Sequence, residues 1–215
     1  MFYFDLHCHS VASDDSRATV EQYLKWISSL RKKGNKIDGI VLTEHRQFDF
    51  ETDYKKIGEK YDITVLKGAE LDTRYGHFLV YGVDEAIFSM LDFSDVNMDP
   101  FILMEACDSN GGIAIPAHPG RSGIGLSEWI SKGVKFPMVD IVEHLNRGNR
   151  PEEAIKANEL VTENEYYGIG GSDAHFVSAI CKCMTAFPSK IEDEKMLVEA
   201  LKSREFHAVN LEDTI

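Results

Sequence analysis

Asp5-Leu6-His7-Cys8-His9-Ser10, near the start of the chain, and Gly171-Ser172-Asp173-Ala174-His175, near its end, decide how everything between them is read. In an extended strand alternate side chains share a face, so His7 and His9 point the same way, as do Asp173 and His175. Each pair is a two-toothed clamp for a metal ion. Residues 2–9 alternate and then turn polar, which predicts a buried first strand whose C-terminal end carries chemistry.

Working outward, the same arrangement recurs. The apolar run 37–42 ends in Thr43-Glu44-His45-Arg46, the run 63–66 ends at Gly68-Ala69-Glu70, and the β-rich run 77–82 opens with His77. Residues 113–115 feed Pro116-Ala117-His118-Pro119-Gly120-Arg121, residues 139–142 lead into Glu143-His144-Leu145-Asn146, and residues 166–169 lead into the second clamp. Between these runs lie helices. Thr19 and Gln22 stand in capping-box spacing before an apolar stripe reaching Lys33, where Gly34 ends the helix. A short helix is expected over 53–60, another starts at Asp99-Pro100, a third opens at Pro151, and a last one over 193–203 precedes a strand at 207–209. Residues 84–99 have no clear period. Strand, polar loop and helix alternate about seven times, which predicts an α/β fold of parallel strands in βα units. Polar residues gathered at successive strand ends favour a barrel over an open sheet.

The length of 215 residues suits one domain of the larger single-core sort, and no linker, repeat or low-complexity segment interrupts it. A net charge of −13 argues against a long nucleic-acid groove, which needs a clustered basic face. Most of that acidity is expected on a solvated surface, with a part gathered around bound cations. Cys8, Cys107, Cys181 and Cys183 lack zinc-finger or thioredoxin spacing and read as reduced thiols. No signal-peptide pattern or membrane-length apolar run is found, so a cytoplasmic protein is the expectation.

The strand-end candidates are His7, His9, Asp15, His45, Glu70, His77, His118, Asp173 and His175. One ion uses about three to five protein groups, so this set implies two or three metals. Imidazole mixed with carboxylate suits zinc, manganese or iron. A lone histidine at a strand end is ordinarily a hydrogen-bonding or surface group; it is the joint placement that argues otherwise. Glu44 and His144 read as supporting or structural groups, Glu143 is given no role, His207 has no partner, and Cys8 faces away as a small core residue. No nucleophile elbow or phosphate-binding loop is present.

As an ordered set, Asp5-Leu6-His7-Cys8-His9-Ser10, Thr43-Glu44-His45, Glu70, Pro116-Ala117-His118-Pro119-Gly120 and Gly171-Ser172-Asp173-Ala174-His175 resemble the PHP (polymerase and histidinol phosphatase) family. The resemblance implies a distorted (β/α)7 TIM-like barrel with outer helices, holding two or three divalent ions and cleaving phosphoesters with a metal-held hydroxide. It also implies a first ion on His7, His9, Glu70 and Asp173, a second shared by Glu70 with His77 and His118, and a third on Asp15, His45 and His175. Some members carry the aspartate at the place of Asp14; Ser13-Asp14-Asp15-Ser16 is similar to the Ser-x-Asp-Ser version. The second motif has Glu44 where aspartate is common. Only 40 residues separate His77 from His118, too few for the cap domain inserted in some relatives. Residues 1–215 are therefore expected to form a single PHP-type unit acting on a small phosphorylated substrate. Arg121, on its Pro-Gly turn, and more weakly Arg46 and Arg17, are candidates to hold the phosphate. Two other readings compete. An amidohydrolase-like barrel also opens with His-x-His and closes with aspartate, but Glu70 stands where a bridging lysine belongs. A non-catalytic, metal-stabilised module of a larger assembly would not need every ligand position filled.

Overall fold

In the computed structural model, which describes residues 1–215, β1 (Phe2–Cys8), β2 (Gly39–His45) and β3 (Thr64–Thr73) lie side by side in parallel. The chain then reverses through Arg74 and Tyr75 into β4 (Gly76–Tyr81), and β5 (Ile113–Pro116) pairs antiparallel with β4. On the other side of β1 run β8 (Cys183–Phe187) and β9 (His207–Asn210), each antiparallel to its neighbour. These make one seven-stranded sheet, while β6 (Ile141–Asn146) and β7 (Tyr167–Gly171) form a separate parallel pair. The expected α/β class holds. The all-parallel expectation does not: four of the ladders are antiparallel, β3 and β4 as a tight hairpin and the others between strands joined by longer connections.

The sheet curls into a half-barrel around a common interior. Phe4 and Leu6 of β1, Val41 of β2, Leu66 of β3, Leu79 and Tyr81 of β4, Ile115 of β5, Ile141 of β6, Ile169 of β7 and Phe187 of β8 belong to one buried cluster. Leu197, Val198 and Leu201 of α7 (Glu194–Ser203) complete this cluster. The β6–β7 pair sits alongside β1. Asp173 N donates to His7 O at 2.7 Å, His9 N donates to Ala174 O at 3.0 Å, and Cys8 bridges Ala174 in parallel.

Helices cover the outer faces. α1 (Val20–Arg31) has the expected capping box, with Gln22 N donating to Thr19 Oγ1 and Thr19 N donating to Gln22 Oε1. Its apolar face, Tyr23, Leu24 and Ile27, packs on Ile40 and Leu42 of β2 and on Ile180 and Met184. Lys55–Glu59 forms α2, and α4 (Pro100–Ser109) starts at the Asp99 cap as its Asp-Pro pair requires. α6 (Pro151–Asn164) begins at its proline. Three elements were not legible beforehand: α3 (Glu85–Met90), α5 (Leu126–Ser131) and β8. The first two are six residues each, too short to show a period. All five residues of β8 are buried, so no alternation marks it.

Tyr23 ties the first helix to the two motif strands, because its buried hydroxyl lies 2.8 Å from both His9 O and Ala174 O. Tyr23→Phe is expected to destabilise the fold by about 1–2 kcal/mol, read as a lower urea midpoint with unchanged slope.

Candidate functional site

Five of the sequence-nominated histidines converge on Glu70. Its Oε2 lies 3.2 Å from His7 Nε2, 3.3 Å from His9 Nε2 and 3.1 Å from His45 Nδ1. Its Oε1 lies 3.1 Å from His77 Nδ1 and 2.9 Å from His118 Nε2. Asp173 Oδ1 is 3.4 Å from both His7 Nε2 and His9 Nε2, and 3.7 Å from His175 Nδ1. Asp15, half exposed, reaches in at 3.3 Å to His45 Nε2 and 3.0 Å to His175 Nε2. It is thus Asp15, rather than Asp14, that faces these rings.

Strand ends deliver these groups, with one correction. His7 is in β1, His45 is the last residue of β2, and His9, His118, Asp173 and His175 lie just past β1, β5 and β7. Glu70, expected at a strand end, is inside β3, which continues three residues to Thr73 to pair with β4 and thereby places His77 beside it. At three of these corners a non-glycine residue takes the left-handed backbone: Arg46 (φ 53°), His118 (φ 29°) and Asp173 (φ 51°). Such strain persists only where surrounding contacts over-determine it, and it concentrates at working sites.

Three groups of donors could each hold an ion: His7, His9, Glu70 and Asp173; Glu70, His77 and His118; and His9, His45 and His175. Within each group one ligand atom per residue lies within 4.8 Å of the others, comparable to twice a metal–ligand distance of about 2.1 Å. The electrostatics fit a cation as well. Burial drives His7 and His9 downward, yet Glu143, Asp173 and Glu70 hold His7 well above the ordinary histidine range, and Asp173 and Glu70 carry His9 up to about 9. Burial pushes Glu70 and Asp173 up, and the neighbouring imidazoles, His7 foremost, reverse this and hold both well below the usual carboxylate range. Buried carboxylates here demand positive charge close by, whether as protons on imidazole or as a metal.

Several participants were not identified from the sequence. Buried Glu143 accepts from His7 Nδ1 at 2.9 Å, from His118 N–H at 2.7 Å and from Asn146 Nδ2 at 2.9 Å. His144, beside it, points away to Asn158 at 3.2 Å. Asp72 sits 3.3 Å from His77 Nε2, so that ring lies between two carboxylates. Glu44 supports the site as expected of it: it accepts from Ser10 N and from Ser13 Oγ at 2.5 Å, and Ser13 Oγ lies 3.4 Å from His9 Nδ1. The arginines are partly committed. Arg121 Nη2 is 2.8 Å from Asp173 Oδ2 and 3.1 Å from Asn146 Oδ1, and Arg46 Nη1 is 2.9 Å from Asp72 Oδ2. Arg17 is exposed, and its backbone N–H donates to His175 O.

Structures sharing the fold include PsfC from Pseudomonas syringae, 19% identical with a TM-score of 0.68 over 97% of this chain and 91% of that one. A two-domain protein from Bacteroides vulgatus containing a predicted PHP-like metal-dependent phosphoesterase is 20% identical, with a TM-score of 0.64 over 98% of this chain and 65% of that one. The lesion-specific endonuclease PfuEndoQ from Pyrococcus furiosus is 12% identical, with a TM-score of 0.67 over 94% and 56%. No curated protein matches the chain in sequence. Residues 151–206 match the family model described as PHP-associated, and the motif set quoted from the sequence is similar to that of the PHP family.

Beneath the site, Asp5 anchors the two motifs to each other. Its buried carboxylate accepts four hydrogen bonds, from Ser172 N, Ser172 Oγ, Cys181 N and His7 N, and burial still pushes it up to about 6. Asp5→Ala is expected to cost roughly 3 kcal/mol by stranding three backbone donors, measured as the loss of unfolding free energy in urea.

Proposed function

We propose that this chain is a metal-dependent hydrolase of phosphoesters. The observation that carries the reading is Glu70: a buried carboxylate with histidines on both oxygens and a second carboxylate, Asp173, across the same ring pair. His7, His9, Glu70 and Asp173 would hold one divalent ion, and Glu70, His77 and His118 a second. Asp15, His45 and His175, with His9 in reach, would hold a third. Zinc, manganese and iron(II) all suit this donor set. Divalent ions so placed supply Lewis acidity, lowering the pKa of a water towards about 7 and offsetting charge on the phosphoryl oxygens.

The protein's own groups do the rest by binding and orientation. Glu143 keeps His7 Nδ1 engaged so that Nε2 faces the interior, and Asp72 engages His77 Nε2 while Nδ1 faces Glu70. Arg121 spends one nitrogen on Asp173 and Asn146, leaving the remainder of its guanidinium to hold a phosphate oxygen; Arg46 and Arg17 are further candidates. A small phosphorylated substrate fits the net charge of −13 better than a long nucleic acid does. No helix is long and apolar enough to cross a membrane.

The test is a screen of the purified chain loaded with zinc, manganese or iron(II) against histidinol phosphate, nucleotides, sugar phosphates and short oligonucleotides. Turnover of at least one phosphoester is expected, and His9→Ala and Asp173→Ala should each lower kcat at least 100-fold while circular dichroism stays native. Full activity in either variant overturns the assignment. Turnover of cyclic amides alone would point to an amidohydrolase, and no turnover with any metal to a non-catalytic module.

Metal uptake should also release protons. Because His9 is held up to about 9 in the metal-free protein, its ring is protonated below that pH and must lose the proton to become a ligand. Apparent zinc affinity should therefore rise with pH through the range from 7 to about 9. Calorimetry at pH 7.5 in two buffers of different ionisation enthalpy should report net proton release, and none would contradict the ligand assignment.

A further inference from the structure

We propose that Glu143 is the positioning residue that couples the two most buried donor groups, so that its loss weakens both at once. This rests on the metal reading above and goes beyond it in naming what makes the two positions act together.

No backbone ladder joins β5 to β6: the seven-stranded sheet ends at β5, and β6 belongs to the separate pair. The two donor groups share Glu70 of β3; the remaining ligands of the first hang from β1 and the corner after β7, and those of the second from β4 and the corner after β5. Across that gap reaches one side chain with no exposed surface. Glu143 Oε1 accepts from His7 Nδ1 at 2.9 Å, which leaves His7 Nε2 aimed at Glu70 and Asp173. Glu143 Oε2 accepts the backbone N–H of His118 at 2.7 Å, and thereby fixes a histidine whose backbone sits in the left-handed region. The same oxygen accepts from Asn146 Nδ2 at 2.9 Å. Asn146 Oδ1 in turn accepts from Arg121 Nη2, which is 2.8 Å from Asp173 Oδ2. Glu143 therefore holds His7 directly, His118 through its main chain, and Asp173 through Asn146 and Arg121.

Two local features exist to permit this. A β-bulge in β6 sets Glu143 opposite Ile169 but Leu145 opposite Gly170, so one extra residue is taken up and Glu143 and Asn146, three apart, reach the same side. Gly171 is the second feature. A Cβ there would collide with His7 Cβ and with Glu143 Oε1, so only glycine lets the Glu143–His7 contact pass.

A carboxylate offers acceptors only, and all three facing groups donate. Glu143→Gln keeps the size but turns one acceptor into a donor, so at least one partner meets a like group. Asn146 cannot flip to relieve this, because its Oδ1 already accepts from Arg121 and Gly148 N. Groups of this kind typically change metal affinity by about 10- to 100-fold.

The experiment is a chelator-competition titration with zinc on the full chain, comparing the unmodified protein with Glu143→Gln and His77→Ala. Both tightly bound zinc ions should weaken about 10- to 100-fold in Glu143→Gln, whereas His77→Ala should lose only one. Loss of a single ion in Glu143→Gln, or an unchanged isotherm, overturns the coupling while leaving the metal reading intact. An unmodified chain that binds no zinc overturns both. Should Glu143→Gln not fold, nuclear magnetic resonance of the zinc-loaded unmodified chain decides the question. A His7 Nδ1-bound proton and a slowly exchanging His118 amide are expected, and the absence of either overturns the role.

Discussion

A carboxylate removed from water and placed among five imidazoles is the constraint on which this structure depends. Glu70 approaches His7, His9 and His45 on one oxygen and His77 and His118 on the other. Burying such a charge costs several kcal/mol unless opposite charge and hydrogen bonds surround it. The strand order supplies those neighbours. β1 and β2 bring three of the rings from one side, and the β3–β4 hairpin and the corner after β5 bring two from the other. A sheet curled less tightly would leave Glu70 without half of its partners.

The curl is bought with local irregularity. A bulge in β1 falls between Asp5 and Cys8, and a second one in β6 falls between Glu143 and Leu145. Bulges bend a strand and redirect the side chains that follow. The left-handed residues Arg46, His118 and Asp173 then turn the chain sharply at the rim. Asp5 and Tyr23 hold the bent region from below, one as an acceptor of four hydrogen bonds and the other as a donor facing two carbonyls.

Local concentration accounts for part of the acidity seen in the sequence. Asp5, Asp15, Glu44, Glu70, Asp72, Glu143 and Asp173 all lie in or against the site, and every one except Asp15 is mostly shielded from solvent. Among them, Glu70 and Asp173, joined by Glu143 at His7, hold both His7 and His9 above the ordinary histidine range despite burial. Two of the arginines nominated for substrate are engaged with these carboxylates, which explains why an arginine near a strand end cannot be assigned to phosphate from spacing alone.

The sequence by itself nominated the nine side chains that the fold brings together, and determined the α/β class, the caps of α1 and α4, and the meeting of the first and last motifs. All of these rest on period-two alternation, capping chemistry or residue type, which act over a few positions. Tertiary structure alone decided the mixed strand directions and the position of Glu70 within a strand. It also decided the inward turn of Glu143 and Asn146 in place of His144. A bulge adds one residue and so inverts every inference from alternation beyond it, and nothing in Glu143-His144-Leu145-Asn146 announces that insertion. The bulge becomes visible only when β7 lies alongside and Gly171 leaves room for the carboxylate to reach His7.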